Sequence, residues 1–180
     1  MNSTAFVPQL IYPQSSSYEA YLSFSLNEQT SAVFSMDQVQ EVFGVDAQHV
    51  TPMPNMPSCV LGLLTRRNRV MWVVDLAQML LSDPLPSNLR TYNVIILRLA
   101  RSSQRQAMVL GTDHHYLLLG VIVSKVKGVI RCSPNSIQAL QTYLSSSLAP
   151  YLKGCLLQQN DLFLALNAEA IVGSPLLQSH

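Results

Sequence analysis

The stretch VLGLLTRRNRVMWVVDL, residues Val60–Leu76, decides the fold class. An apolar run leads to a basic tip that contains Arg66, Arg67 and Arg69, and a second apolar run follows and ends at Asp75. Two short apolar runs on either side of a few polar residues are typical of a β-hairpin. The stretch therefore predicts a strand, a tight basic turn and a second strand.

A second stretch near the C-terminal end repeats this pattern. Its glycine, turn asparagine and closing polar residue align with those of the first stretch, as Gly62 with Gly154, Asn68 with Asn160, and Asp75 with Asn167. A repeat of this kind predicts duplication of one small β unit. The two copies differ most at the tip, which is Arg66-Arg67 in one and Gln158-Gln159 in the other. Because packing fixes strand positions more than loop positions, we expect functional differences at the tips.

The composition indicates a folded globular chain. Apolar residues make up 48% of the 180 residues and charged residues only 12%, which argues against disorder. A chain of this length can bury one sizeable core or two small cores packed together. So few charges are compatible with two explanations: a partner covers part of an apolar surface, or the strands are long and well buried.

Charge and hydropathy exclude several functional classes. The formal net charge is +1, whereas nucleic-acid binding normally needs a basic face. No apolar run reaches the roughly 18–20 residues of a membrane span, and residues 1–17 lack the basic start and apolar core of a signal peptide. We therefore expect a cytoplasmic protein that neither inserts directly into a membrane nor binds nucleic acid.

Neither the cysteines nor any enzyme motif indicates a metal site or a catalytic site. Cys59, Cys132 and Cys155 are far apart and show no zinc-site spacing, so we expect buried or half-buried thiols and no metal. The sequence contains no nucleophile elbow, phosphate-binding glycine loop or metalloprotease motif. We predict no catalytic residue and no cofactor.

The order of predicted elements divides the chain at Ser82–Asn88, a turn-rich break between two apolar halves. We predict a flexible lead-in over residues 1–17, a first β subdomain over 18–88, a second over 89–173 and a tail over 174–180. A short helix capped by Asp75 is expected after the first repeat, and the apolar spacing of Asn135–Tyr151 predicts a longer helix. Asn93–Leu99 and Ala107–Gly111 are predicted to form a second hairpin.

These elements predict a mainly β fold. Each half has about five candidate strands, enough for a small barrel, together with a few short helices. Duplicated halves are expected to meet at an apolar seam.

An ordered series of motifs resembles the CheW-like domain, the adaptor module of bacterial chemosensory systems. The first half has Val39-x-Glu41-Val42, a proline-rich crossing, Gly62-x-x-x-x-Arg67-x-x-Val70 and Asp75-Leu76. The second half has Gly120–Val123, then Val126-x-x-Val129, Tyr151–Gly154 and Leu164–Asn167. The resemblance covers roughly Tyr18–Val172. The sequence of Trp72–Gln78 is similar to that of the cyanobacterial branch that serves type IV pilus motility, sometimes called PilI.

The resemblance implies two packed SH3-like five-stranded β-barrels and a non-catalytic scaffold. Such a scaffold couples a CheA-type histidine kinase to methyl-accepting receptors and is recruited to receptor arrays at the membrane. The regulatory domain of the kinase binds by barrel-to-barrel contact, and the cytoplasmic tip of the receptor lies in a groove between the subdomains. Control of pilus-based motility or taxis is the expected output.

The resemblance also implies the partner-binding residues. Arg67 takes the place of the arginine that is important for coupling, and four other residues match motif positions: Val39, Glu41, Gly62 and Asp75. In the family, the four positions of the tip are usually Asn, then Leu or Trp, then Arg, then Gly. Here they are Thr65-Arg66-Arg67-Asn68. Asn68 is expected to keep the turn, since Asn tolerates positive φ. Coupling could nevertheless be weakened, retuned or specific to one set of partners.

Each of these residues also has a structural explanation. Strand alternation predicts that Arg66 and Arg69 lie away from the face of Arg67 as solvated charges. Glu41 is either a hydrogen-bonding residue at the rim of an interface or the polar face of an alternating strand. Asp75 is expected to cap a helix and Trp72 to lie in the core. Gly62 and its partner in the repeat are expected to mark a close backbone approach or a bulge.

Two other functions compete with the coupling adaptor. Asp113-His114-His115 has the residue types of a metal or acid–base site, which leaves a β-barrel sensor or enzyme for a metal or small molecule as the alternative. On a strand, however, the two histidines would point to opposite faces. The third possibility is a family member that binds the kinase but no longer couples it to receptors.

Overall fold

The computed structural model describes residues 17–100, 116–139 and 147–177. Within these ranges the chain is mainly β, as predicted. Its strands are β1 (Glu19–Ser25), β2 (Ser31–Ser35), β3 (Val39–Asp46), β4 (Val50–Thr51), β5 (Val60–Arg66), β6 (Arg69–Asp75), β7 (Thr91–Ala100), β8 (Tyr116–Val123), β9 (Lys125–Cys132), β10 (Ile137–Gln138), β11 (Leu152–Gln158) and β12 (Asp161–Leu166).

Short helical segments join or follow these strands. Helix α1 (Leu76–Leu81) follows β6 directly, and α2 (Ala168–Val172) follows β12. Single 3₁₀ turns lie at Met36–Gln38, Ala47–His49, Pro134–Ser136, Ala149–Tyr151 and Pro175–Leu177. Among the described residues, no helix has the length and apolar character needed to cross a membrane.

The strands form two curled sheets that correspond to two SH3-like barrels. The terminal barrel has the strand order β10-β11-β12-β2-β1-β9, and the central barrel has the order β3-β7-β8-β6-β5-β4. Each sheet has six strands where five were predicted, because each includes a strand of two residues, β10 or β4.

The two halves of the chain exchange hairpins. Strands β1 and β2 pair with β9 and β12, while β7 and β8 pair with β3 and β6. Each barrel therefore combines four consecutive strands of one half with the first hairpin of the other half. Strands from both sides of the Ser82–Asn88 segment meet in each sheet.

Apolar side chains of the described residues form three buried clusters. The largest lies between the two sheets and includes Phe24 and Phe34 from the terminal barrel and Ile95 and Val121 from the central barrel. The other two fill the inside of each barrel. Because the middle strands are covered on both faces, β8 is buried from Leu117 to Val123. The largest core of the described residues therefore lies between the two barrels, each of which contains strands from both halves.

The helix predicted over Asn135–Tyr151 is wrong where the chain is described. Residues 134–136 form a 3₁₀ turn, and Ile137-Gln138 is a strand that pairs with Cys155-Leu156 of β11. Helical spacing was misleading because Ile137 packs inside the terminal barrel whereas Leu148 belongs to the cluster between the sheets.

Several predictions fall outside the described residues. These are most of the N-terminal lead-in, the strand Ala107–Gly111 and the Asp113–His115 cluster. Strand β7, expected to pair with Ala107–Gly111, pairs with β8 along its length from Asn93 to Ala100.

Candidate partner-binding site

The tip of the β5–β6 hairpin is a two-residue turn. Arg66 and Arg69 face each other across the last position of the ladder, and the two residues between them, Arg67 and Asn68, have φ angles of 48° and 61°. Positive φ at both central residues is the geometry that lets a two-residue turn follow the twist of its strands. The expectation that Asn68 keeps the turn is confirmed.

Two arginines of this tip hold one carboxylate. Arg66 Nη2 donates to Glu41 Oε1 at 2.6 Å, and Arg67 Nη2 donates to the same oxygen at 3.3 Å. The side chain of Glu41 is 16% exposed, that of Arg66 40% and that of Arg67 74%. The three residues form the charged clamp, the name used below for Glu41, Arg66 and Arg67.

The clamp joins parts of the central barrel that are far apart in the sheet. Glu41 lies on β3, an edge strand, whereas the arginines come from the β5–β6 hairpin near the other edge. Curling of the sheet brings the two together. The guanidinium of Arg66 also lies over the Phe43 ring, at 4.3 Å from the ring centroid, within the range of a cation–π contact.

The prediction that Arg66 is a solvated charge is wrong. Arg66 is the last residue of β5 and Arg67 the first of the turn, and the long side chains of both reach Glu41 on β3 across the curled sheet. Arg66 has the shorter bond to Glu41 and the ring contact, so it is the better anchored of the two arginines. Arg69 is half-buried rather than fully exposed.

The arginines keep the Glu41 carboxylate ionised. The Arg66 hydrogen bond is the main cause of a lowered pKa for Glu41, and the charges of Arg66 and Arg67 act in the same direction. Partial burial opposes this shift but does not cancel it. At neutral pH the clamp therefore contains two cations and one anion.

The other predicted site residues have supporting positions. Gly62 lies where the β5 ladder shifts register, and a Cβ there would overlap the carbonyl oxygen of Thr51. Asp75 lies at the opposite end of β6 from the tip and is 3% exposed. Val39 packs against the cluster between the sheets. The structure thus brings Glu41, Arg67 and Asn68 together and places Gly62 and Asp75 in the framework.

Asp75 caps helix α1, as predicted. One carboxylate oxygen accepts a hydrogen bond from the backbone N–H of Gln78 at 3.0 Å, and the other accepts from the N–H of Leu85 at 2.8 Å. Asn167 occupies the same position in the second repeat and accepts from the N–H of Ala170 at 3.2 Å. Trp72 is buried at 8% exposure, which confirms it as a core residue.

Comparison with known proteins gives a family match over most of the chain. The family model for the CheW-like domain matches residues 20–175. This chain belongs to the CheW-like family. A curated relative, the chemotaxis protein CheW of Thermotoga maritima, is 24% identical over 151 residues, which cover 84% of this chain and 85% of the relative.

A solved structure supports the same fold. The scaffolding protein TtCheW from Thermoanaerobacter tengcongensis superimposes with a TM-score of 0.64 at 19% identity, and the match covers 83% of this chain and 88% of that one. Membership of the CheW-like family supports an adaptor or scaffold rather than an enzyme. In the part of the chain that the structure describes, no group of three His, Cys, Asp or Glu residues could hold a metal ion.

The two hairpin tips of this CheW-like chain have different chemistry. In the terminal barrel Gln159 and Asn160 form the same turn, with φ angles of 51° and 71°. Gly128 is the counterpart of Glu41, because each lies beside a ladder shift on the matching edge strand. The terminal barrel therefore has no charged clamp. Its tip instead exposes a cross-strand apolar pair, Leu157 at 69% and Leu162 at 55%.

Sequence reasoning missed Arg66 and Phe43 as parts of this site. A usable signal was present for Phe43, because it lies two residues after Glu41 on the same strand and must share its face. No local signal identified Arg66, because its partner is 25 residues away in the chain.

Proposed function

We propose that this protein is a non-catalytic chemosensory adaptor that couples a CheA-type histidine kinase to methyl-accepting receptors. It acts in the cytoplasm at membrane receptor arrays, without a cofactor and without nucleic acid. The mechanism is positional: the adaptor holds the kinase and the receptor tip at fixed places, so that a shift of the receptor tip changes the activity of the kinase.

The observation that carries this proposal is how the central barrel presents Arg67. A rigid two-residue turn holds its guanidinium at 74% exposure, with one long bond to Glu41. A guanidinium can bind a carboxylate with two parallel hydrogen bonds and stays charged at every relevant pH. Val42 and Val70 lie on strands next to the tip and are each more than a third exposed, which adds an apolar border to the charged contact.

We further propose that the output is pilus-based motility or taxis. The support is the similarity of Trp72–Gln78 to the branch of the family that serves type IV pili. Deletion of the gene is expected to abolish directed twitching while leaving pili assembled. Normal directed movement on a surface would contradict this assignment without affecting the adaptor proposal.

The test of the adaptor proposal is calorimetric titration with two probes. One is the regulatory domain of the CheA-type kinase encoded in the same genome, and the other is a receptor fragment that contains the cytoplasmic tip. Wild type is expected to bind both at micromolar concentration. Arg67→Glu is expected to abolish binding of at least one, and the partner that is lost identifies the surface at the central tip.

The matched control is Gln159→Glu, which introduces the same side chain at the equivalent turn position of the terminal barrel. It is expected to leave the Arg67-dependent binding unchanged. If wild type binds neither probe, the adaptor proposal fails. If wild type binds both and Arg67→Glu binds both equally well, the adaptor remains but the proposed site is wrong.

A further inference from the structure

The charged clamp contains one more arginine than is needed to neutralise its carboxylate. Glu41 provides one negative charge, and Arg66 and Arg67 provide two positive charges. The tip sequence Thr65–Val70 adds Arg69 and no acidic residue. The clamp therefore has a net positive charge, unlike the tip of the terminal barrel, where Asp161 stands in the position of Arg69.

The two arginines bind Glu41 unequally. The Arg66 bond of 2.6 Å is as short as the shortest charged hydrogen bonds, whereas 3.3 Å for Arg67 is longer than their usual range. The Arg66 guanidinium also packs on the Phe43 ring. Arg67, at 74% exposure, keeps most of its donors directed to solvent.

We infer that Arg66 is a positioning residue that holds Glu41 and so leaves Arg67 to bind a carboxylate of the partner. Without Arg66, Glu41 would face Arg67 alone. The two would form a closer pair, and Glu41 would compete with any acidic group that the partner presents. The clamp thus selects an acidic partner surface. This inference rests on the proposed adaptor function and names the partner chemistry at its site.

The first test needs no partner. The pKa of the Glu41 carboxyl is measured by carbon-detected NMR titration in wild type, Arg66→Leu and Arg67→Leu. Because Arg66 makes the stronger contact, Arg66→Leu is expected to raise this pKa more than Arg67→Leu does, although the closer Arg67 pair limits the rise. A larger effect of Arg67→Leu would overturn the assignment of Arg66 as the residue that holds Glu41.

The second test is a double-mutant cycle on binding of the probe that depends on Arg67. Arg66→Leu is expected to weaken binding about fivefold, the scale of one exposed charged contact. Glu41→Gln alone is expected to change affinity less than about twofold, since Arg67 is already available. In the Arg66→Leu background, Glu41→Gln is expected to restore most of the lost affinity, because it removes the competitor.

Additive effects in this cycle would overturn the inference, since they would mean that Arg66 only adds positive charge. The matched control is Gln158→Leu, which replaces the residue equivalent to Arg66 in the terminal barrel and is expected to leave this binding unchanged. If wild type binds neither probe, the adaptor proposal fails. The pKa measurement still decides whether Arg66 holds Glu41.

Discussion

Replacement of Gly62 by alanine tests the two features of the hairpin that favour glycine. The φ angle of Gly62 is 142°, and a Cβ would overlap the Thr51 carbonyl and lie 2.9 Å from the Pro52 Cα. A residue with a side chain costs about 1–3 kcal/mol in such a conformation. The neighbouring atoms are backbone, so they cannot move aside as a flexible side chain would.

Two other glycines separate these causes. Gly128 has φ at 136° but open space where a Cβ would lie, and Gly44 has neither feature, with its nearest contact at an ordinary 3.6 Å. We expect Gly44→Ala to be neutral or slightly stabilising, since alanine restricts the unfolded chain. Gly128→Ala should cost about 1–2 kcal/mol from φ alone. Gly62→Ala should cost about 3–4 kcal/mol, because the clash adds to the strain.

The assay is urea denaturation of the three variants and wild type, followed through Trp72 fluorescence and circular dichroism. The free energy of unfolding is expected to be highest for Gly44→Ala, lower for Gly128→Ala and lowest for Gly62→Ala. Equal losses for Gly62→Ala and Gly128→Ala would show that the approach of Thr51 contributes nothing. A neutral Gly62→Ala would refute the reasoning altogether.

Three other perturbations have definite expected outcomes. Asp75→Ala should destabilise the protein by about 1–2 kcal/mol in urea denaturation, since it removes two accepted hydrogen bonds, whereas Asn167→Ala removes one and should cost less. The pKa of the Glu41 carboxyl is lower in the folded protein than in the unfolded chain. Glu41 therefore stabilises the fold at pH values above its unfolded-state pKa, and this stabilisation is lost as pH falls through its folded-state pKa. Wild type should therefore exceed Glu41→Gln in stability by about 0.5–1 kcal/mol at pH 7, and a gap that does not close in acid would contradict this. Burial raises the pKa of the Cys59 and Cys132 thiols, so both should be alkylated by iodoacetamide at pH 7.5 far more slowly in the folded protein than in urea, as measured by peptide mass spectrometry.

Local features of the fold could be predicted from the sequence. The β5–β6 hairpin, its repeat at β11–β12 and the cap at Asp75 each depend on residues within fourteen positions of one another. In such segments the alternation of apolar residues and the residues that favour tight turns predict the same structure. These are the features for which sequence and structure agree.

The hairpin exchange could not be predicted in the same way. In both first hairpins, β1–β2 and β7–β8, residues on both faces are buried, so alternation alone does not decide which strands they join. The error in the helix predicted over Asn135–Tyr151 has a related origin. Ile137 and Leu148 of its apolar face lie in two different cores, and spacing along the chain cannot distinguish two cores from one helical face.

The candidate site was partly predictable. The tip, Arg67 and Glu41 followed from motifs, but their contact through Arg66 depends on how far the central sheet curls. Alternation along a strand describes the direction of Cβ atoms and not the reach of a guanidinium. Long-range closure of a barrel is therefore the step at which sequence reasoning failed for Arg66.

The central claim is that this chain bridges two partners. Sedimentation velocity of the kinase regulatory domain mixed with the receptor-tip fragment, with and without this protein, tests it most directly. We predict a species that contains all three components, formed only when this protein is present and lost with Arg67→Glu. Separate binary complexes that never combine, or no complex at all, would contradict the adaptor account.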